Sequence, residues 1–355
     1  MIYPFSYDIL PARIVFGCGT LDRVADEVRV LGCSRALVLA MPELGGVGEA
    51  LAERLGGLAA GTFLGAVMHT PTDVTEQAMA VVRAVNADCI VAIGGGSTTG
   101  LSKAIALRTD LPQIVIPTTY AGSEATPIIG QTENGVKTTQ RTLAVLPEVI
   151  IYDVDLTLTL PTAISVTSGF NAIAHAVEAL YAKDGNPVIS TLAEQGIAMI
   201  ARALPAIVAD PGDKGARSDA LYGAWACGTC LGAVGMSLHH KLCHTLGGTF
   251  NLPHAETHTV ILPHAVAYNH PDTPDAMARV ARALGEPDPP TGLYDLAKDL
   301  GAPTSLQELG MPYEGLAKAA DLAMANAYWN PRPLEHKLIA RLLDDAWHGR
   351  RPDSV

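Results

Sequence analysis

The sequence predicts an α/β dinucleotide-binding domain with a doubly wound parallel sheet, followed in the same chain by an all-α domain. Three observations carry this. Short Val/Ile runs alternate with helical stretches over the first 160 residues, and a glycine turn joins one such run to a helix. Beyond Pro161 strand-like runs cease and Ala/Leu-rich segments take over. At 355 residues the chain exceeds one ordinary core, so two domains are expected, at 1–160 and 161–355.

The first runs are ARIVFG (12–17) and RALVLA (35–40), followed by the helical TEQAMAVVRAVNA (75–87). CIVAIGGG (89–96), the helical LSKAIALR (101–108), PQIVIPTT (112–119) and the run from Val149 complete the half. Continuous apolar runs bounded by turn residues suit strands covered on both faces. The second half begins with SGFNAIAHAVEALYA and continues through STLAEQGIAMIARALPAIVA and SDALYGAWACGTCLG to GLYDLAKDLG. Apolar positions recur there every three or four residues, the helical period.

Hydrophobic residues make up 48% and charged residues 17% of the chain, a folded rather than a disordered composition. The formal charge of −12 repels phosphate backbones and anionic bilayers, so neither nucleic acid nor membrane is an expected partner. An anionic substrate then needs local positive charge. The start, MIYPFSYDIL, has no basic segment leading into an apolar run, and no stretch is read as approaching the roughly 18 apolar residues of a membrane span; a cytoplasmic protein is expected. Six scattered cysteines suit reduced thiols. Cys227-Gly-Thr-Cys230 is formally a C-x-x-C, but its small-residue setting points to helix packing.

The turn Gly94-Gly95-Gly96-Ser97 ends a buried run and opens a helix that carries Lys103. Glycines let backbone approach a pyrophosphate, and the first helical amides with Ser97 can donate to it. A purely structural turn is the competing reading, since the G-x-G-x-x-G spacing is absent. A second run ends in Thr118-Thr119-Tyr120, which offers hydroxyls at the same sheet edge, where open α/β sheets bind ligands. Met41 stands where a carboxylate would hold a ribose 2′-hydroxyl, so NADPH is expected to be accepted alongside NADH.

Seven of the 11 histidines fall between His239 and His270. Asn171 and His175, and likewise His240 and His244, lie one helical turn apart, a recurrent spacing for metal sites and acid/base pairs; His254 follows a glycine break. His258, His264 and His270, each isolated near Pro or Asn, read as capping or surface residues.

GGGSTTGLSKAIAL, PTTYAGSEATP, LPEVIIYDVDLTLTLP, SGFNAIAHAVEALYA and HHKLCHTLGGTFNLPHAETHTVILPHAVAYN resemble, in order and spacing, the iron-containing (group III) alcohol dehydrogenase superfamily. Within it they are most similar to the branch that reduces the conjugated double bond of maleylacetate to 3-oxoadipate during degradation of aromatic compounds. The resemblance implies a homodimer that uses NADH and/or NADPH on a small dicarboxylate. Carried over by position, the superfamily's metal ligands, one Asp and three His, fall on Asn171, His175, His240 and His254. An amide replaces the carboxylate, and the branch is expected to work with no metal required. Gly100 stands where the wider loop carries Asp, Lys103 is retained, and Lys137 is implied to lie near the cofactor ribose. In the expected mechanism His240, flanked by His175 and His254, polarises the ketone while His244 or His240 relays the proton. Lys241, Arg141 and Arg332 are candidates for the substrate carboxylates. The alternatives are a metal-dependent alcohol or polyol dehydrogenase of the same superfamily and a lyase resembling dehydroquinate synthase.

Overall fold

The computed structural model describes residues 4–133, 136–325 and 328–353. They form two compact units, Leu10–Leu160 and a second made of Met1–Ile9 with Pro161–Val355.

In chain order the first unit contains β1 (Arg13–Gly17), α1 (Val24–Val30), β2 (Ala36–Leu39), α2 (Gly45–Leu55), β3 (Ala59–Phe63), α3 (Thr72–Ala84), β4 (Cys89–Gly94) and α4 (Gly96–Thr109). β5 (Gln113–Pro117), β6 (Ile128–Glu133), β7 (Val136–Arg141) and β8 (Val149–Asp153) follow. Six strands form one sheet in the order β1-β8-β5-β4-β2-β3, every pair parallel. β6 and β7 make a separate antiparallel ribbon. Alternate residues of the central strands serve opposite faces. Val38, Val91, Ile93, Ile114 and Ile116 pack with Val24 and Val28 of α1 and Leu51 and Leu55 of α2. Leu37, Leu39, Ile90, Ala92 and Val115 pack with Met79 and Val82 of α3 and Leu101 and Ile105 of α4. Burial on both sides is why these strands lack polar alternation. From β2 the chain runs outward to β3 and then returns to β4 on the other side of β2, so the strand order reverses between the carboxyl ends of β2 and β4. Ligands of open α/β sheets bind at such a point.

Two features of this unit have weak sequence signals. β3, AAGTF, is an edge strand of mostly small residues. The β6–β7 ribbon is polar, with Gln131, Thr132, Lys137, Thr138 and Thr139 paired across it.

The second unit contains α5 (Thr162–Leu180), α6 (Pro187–Ala209), α7 (Lys214–Ala233), α8 (Leu238–Phe250), α9 (His254–Asn269), α10 (Pro274–Leu284), α11 (Pro289–Asp299), α12 (Gly315–Met324) and α13 (His336–His348). No strand occurs among its described residues. α5 is buried from Ser165 to Ala179 and packs against α6, α7 and α9. Close approach of α6 and α7 depends on small residues: a Cβ on Gly196 would lie 2.8 Å from Cys227 Sγ. Burial, with Cys230 nearby, holds the Cys227 thiol well above its usual range, and burial pushes Cys230 up to about 12. The C-x-x-C pair is therefore packing, as expected. Against the sequence expectation, α6 is long and apolar enough, by length and composition, to cross a membrane. Its apolar face of Ile189, Ile197, Ile200, Leu204 and Ile207 is buried within this unit.

Asn251 ends α8 in the left-handed conformation at φ 54°, and Pro253 caps α9. Asn tolerates that conformation and proline cannot continue the preceding helix. The chain thus turns back, and the histidines of α9 come alongside those of α8.

Candidate active site

The glycine turn at the end of β4 is shaped by contact. Gly94 has φ +151°, and a Cβ there would meet Thr98 Oγ1 at 2.5 Å. A Cβ on Gly95 would lie 3.0 Å from Thr119 Cγ2. Gly94 pairs with Pro117, and Thr118 N donates to Gly94 O at 3.0 Å, so the two loops leave the sheet side by side. α4 starts at Gly96 with Ser97 in its first turn. The amides of that turn lack intrahelical acceptors and favour an anion.

Lys103 is not turned toward this anion position. Its buried ammonium donates to Ser123 O (2.6 Å), Thr126 O (2.7 Å), Thr126 Oγ1 (3.0 Å) and Ile128 O (2.9 Å), which ties down the segment after β5. Burial pushes it down to about 7, opposed by the field of Glu124. Glu124 is itself buried and accepts from Tyr152 Oη at 2.9 Å. Lys103 is thus a positioning residue, a correction to the expected direct contact. Tyr120 is likewise a core residue, 0% exposed, whereas Thr118 and Thr119 are half-buried. A Cβ on Gly100 would fall 2.3 Å from Thr70 Oγ1, so Thr70 occupies the space that a side chain at 100 would need. Lys137 lies on β7 at a position whose side chain is outside the described residues.

In the second unit His175 of α5 gathers with His239 and His240 of α8 and His254 and His258 of α9. His175 Nδ1 lies 2.8 Å from His240 Nε2, and both rings are buried. His240 Nδ1 is 2.7 Å from Glu178 Oε2. A carboxylate only accepts, so Nδ1 carries a proton and Nε2 is left to share one proton or cation with His175. Glu178, fully buried, also accepts from Ser237 N (2.9 Å) and His239 N (2.8 Å) at the start of α8, where the helix dipole favours negative charge. His258 joins the group: its ring centroid lies 4.4 Å from that of His254, 5.1 Å from His240 and 6.0 Å from His175. Its Nδ1 is 2.9 Å from His239 Nε2. Burial, reinforced by the neighbouring histidines, pushes His239 and His258 well below 6.5, so both are neutral at neutral pH.

Of the residues singled out by sequence, Asn171 is buried two turns before Glu178 on α5, and His254 is half-buried at the start of α9. His244 is exposed, its ring 6.2 Å from that of His240. Lys241 is half-buried, with Nζ 5.7 Å from the Tyr328 ring centroid. Arg332 is committed elsewhere, a correction: Nη1 donates to Tyr268 O at 2.8 Å and the guanidinium stacks 4.9 Å over the Tyr268 ring. Arg141 ends β7, exposed. Two histidines expected to be peripheral are buried: His258 as described, and His264, whose burial pushes it down to about 4. Glu178 and His239 were missed. The signal was present, for Asn171, His175 and Glu178 recur at i, i+4 and i+7 on one face of α5.

Models of protein families match both units. Residues 11–154 match the iron-containing alcohol dehydrogenase model, and residues 165–347 match the C-terminal model of the Fe-containing alcohol dehydrogenase family. The chain belongs to the iron-containing alcohol dehydrogenase family. Maleylacetate reductase of Rhizobium sp. strain MTP-10005 is 61% identical to it over 350 residues, 99% of each chain. The crystal structure of maleylacetate reductase from Agrobacterium tumefaciens matches with a TM-score of 0.96 and 60% identity, covering 99% of this chain and 100% of that one. An iron-containing alcohol dehydrogenase from Corynebacterium glutamicum matches at 0.93 and 41%, covering 99% and 98%.

Membership of the iron-containing alcohol dehydrogenase family corrects one expectation. Both family models and the Corynebacterium structure bear the metal in their names, which overturns the reading that no metal is required. The side chains present fit a divalent ion. His175 Nδ1 and His240 Nε2 face each other at 2.8 Å and Glu178 orients His240 through its other nitrogen, the usual support of a metal-bound imidazole; the family resemblance adds His254 and Asn171 to that pair. The set is uncharged, which suits a borderline ion such as Fe²⁺ or Zn²⁺ better than a hard one. The chain is an oxidoreductase of this family.

Proposed function

We propose that this enzyme reduces maleylacetate to 3-oxoadipate with NADH or NADPH. The relatives' names supply the substrate, and the observation that carries the chemistry is the buried line Glu178–His240–His175. Hydride from C4 of the dihydronicotinamide adds to the alkene carbon remote from the ketone. The alkene pair moves to the ketone oxygen as an enolate, and a proton adds to the carbon beside the ketone. The site must therefore favour negative charge on one oxygen and then release one proton.

His240 is suited to the first task and His244 to the second. Glu178 holds the Nδ1 proton of His240 and so leaves the Nε2 lone pair, facing His175, to hold a divalent ion, which would favour negative charge on the ketone oxygen. His244, exposed one turn further along α8, relays the proton from solvent. His254 and Asn171 complete the polar lining. A divalent ion held by Asn171, His175, His240 and His254 would add Lewis acidity toward the ketone oxygen. Lys241 supplies positive potential for a substrate carboxylate, in a protein whose formal charge is −12. The α4 amides and Ser97 hold the nucleotide pyrophosphate, with Thr118 and Thr119 beside them. The six free cysteines support action in a reducing cytoplasm, and the family resemblance supports a homodimer.

The test follows oxidation of NADH and of NADPH with maleylacetate and with a panel of simple aldehydes. Turnover of maleylacetate is expected; turnover of aldehydes alone would overturn the reading. His240→Ala and His244→Ala, both assayed at saturating nucleotide, separate the relay. If both keep wild-type turnover, the histidine assignment is wrong.

A further inference from the structure

At the end of the parallel sheet away from the glycine turn, two cysteines and an aspartate converge. Cys89 opens β4 opposite Ala36 of β2, and Cys33 lies in the link between α1 and β2. Cys33 Sγ, Cys89 Sγ and an Asp88 carboxylate oxygen all lie within 4.8 Å of one another. The Cys89 thiol interacts with both the Cys33 sulfur and the Asp88 carboxylate. Cys33 Sγ also lies 3.6 Å from the Asp88 carbonyl oxygen. The chemistry above gives this group no task.

Its carboxylate is held in place from behind. Asp88 Oδ1 accepts from Arg35 N and Oδ2 from Ser34 N, each at 2.8 Å, and Ser34 Oγ donates to Oδ2 at 3.2 Å. Against the effect of burial, these amides hold Asp88 below the usual carboxylate range, and its remaining lone pairs stay free to bind an ion. Two sulfurs and one such oxygen suit a thiophilic dication, with one position left for water. Bonds of about 2.1–2.3 Å in a tetrahedron set donors about 3.5–3.8 Å apart. That spacing falls inside the 4.8 Å that bounds the group. Half-buried Cys33 gives an ion its path from solvent, whereas Cys89 is 0% exposed. The other soft-donor group among the described residues, His239, Cys243 and His258, is fully buried and lacks such support. There His239 Nδ1 and His258 Nε2 have no hydrogen-bond partner.

We propose that Cys33, Cys89 and Asp88 form a binding site for one Zn²⁺ ion within the first unit, which clips the link before β2 to the start of β4. Burial, with Asp88 nearby, holds both thiols above their usual range, so the ion displaces a proton from each. Two Zn–S bonds form, two protons pass to solvent, and no electron is transferred. The site is independent of the proposed function.

The full-length Cys18→Ser protein, which lacks the exposed thiol, is kept reduced, stripped by dialysis against a chelator and titrated with Cd²⁺. Cadmium bound to thiolate gives an ultraviolet charge-transfer band that nitrogen and oxygen donors do not, so a metal on the histidines is silent. One thiolate-bound Cd²⁺ per chain is expected, displaced by Zn²⁺. Cys33→Ser and Cys89→Ser are each expected to remove the band, and Asp88→Asn to weaken binding at least about tenfold. Cys243→Ser, which takes the thiol from beside His239, is expected to keep it. Cys33→Ser alters one atom of a half-buried side chain and answers the question even where Cys89→Ser fails to fold. Iodoacetamide mapping adds a second reading, for the slow labelling of Cys33 in the stripped protein should stop once Zn²⁺ is added. Absence of the band, its survival in Cys33→Ser, its loss in Cys243→Ser or unchanged affinity in Asp88→Asn overturns the proposal.

Discussion

Glu178 and His240 meet at 2.7 Å with both side chains sealed from solvent, and the same carboxylate caps the first amides of α8. One residue thus fixes the start of the helix and the tautomer of the imidazole on it. Glu178→Gln keeps an acceptor for the α8 amides but removes the charge behind His240. Steady-state assays are expected to show kcat/KM with maleylacetate reduced about 10–100-fold, with a small change in Tm. Glu178→Ala also strands the amides of Ser237 and His239, at about 1–3 kcal/mol each, so its Tm should fall clearly. Equal kinetics for Glu178→Gln and wild type would remove the carboxylate from the mechanism.

Lys103 acts through the segment it anchors. Lys103→Met leaves the carbonyls of Ser123, Thr126 and Ile128 without their donor. KM for NADH is expected to rise, with a smaller effect on kcat. The pH dependence has a defined sign. The buried ammonium titrates near 7 and its unfolded counterpart near 10.5, so between those values the unfolded chain holds the extra proton. Wild-type stability relative to Lys103→Met should therefore increase as pH rises from 7 toward 10.5, and the penalty of burying the charge should be full below 7. Urea titrations across that range give the difference; a flat one would contradict it.

The strands β2, β4, β5 and β8 were legible because burial on both faces leaves uninterrupted Val/Ile runs. β3 was not, because small residues at an edge carry little pattern, and the β6–β7 ribbon was not, because its residues are polar. In the site, spacing revealed Asn171 with His175 and His240 with His244. It could not reveal His258 or His239, since their membership depends on the reversal at Asn251 and Pro253 that lays α9 along α8. Lys103 was misread for a related reason: a lysine in the first helix after a glycine turn looks like a phosphate ligand until the path of residues 123–128 is known.

The thiols offer a check on the helical unit that needs no substrate. Cys18 is exposed and Cys33 half-buried, whereas Cys89, Cys227, Cys230 and Cys243 are buried and held protonated, chiefly by burial. Mass spectrometry after iodoacetamide treatment of the native protein should find Cys18 labelled first and Cys33 slowly. The other four should react only in denaturant. Rapid native labelling at Cys227 or Cys230 would revive a redox role for that pair.

Gly100 and Thr70 define a contact that can be tested by repair. Thr70 holds a left-handed backbone at φ 46°, unusual for a β-branched residue, and its Oγ1 fills the place of a Cβ at position 100. Its carbonyl also accepts from Thr132 N at 3.2 Å, which limits how far it can retreat. Gly100→Ala should therefore cost about 1–3 kcal/mol, the range for overpacking a well-filled interior. Thr70→Ala in the same chain removes the clashing oxygen and should recover most of the loss. Gly100→Asp should be worse than Gly100→Ala, because the larger side chain meets the same wall. Unfolding free energies of the two single variants and the double variant decide it, for a purely additive double variant would show that the two residues do not press on each other.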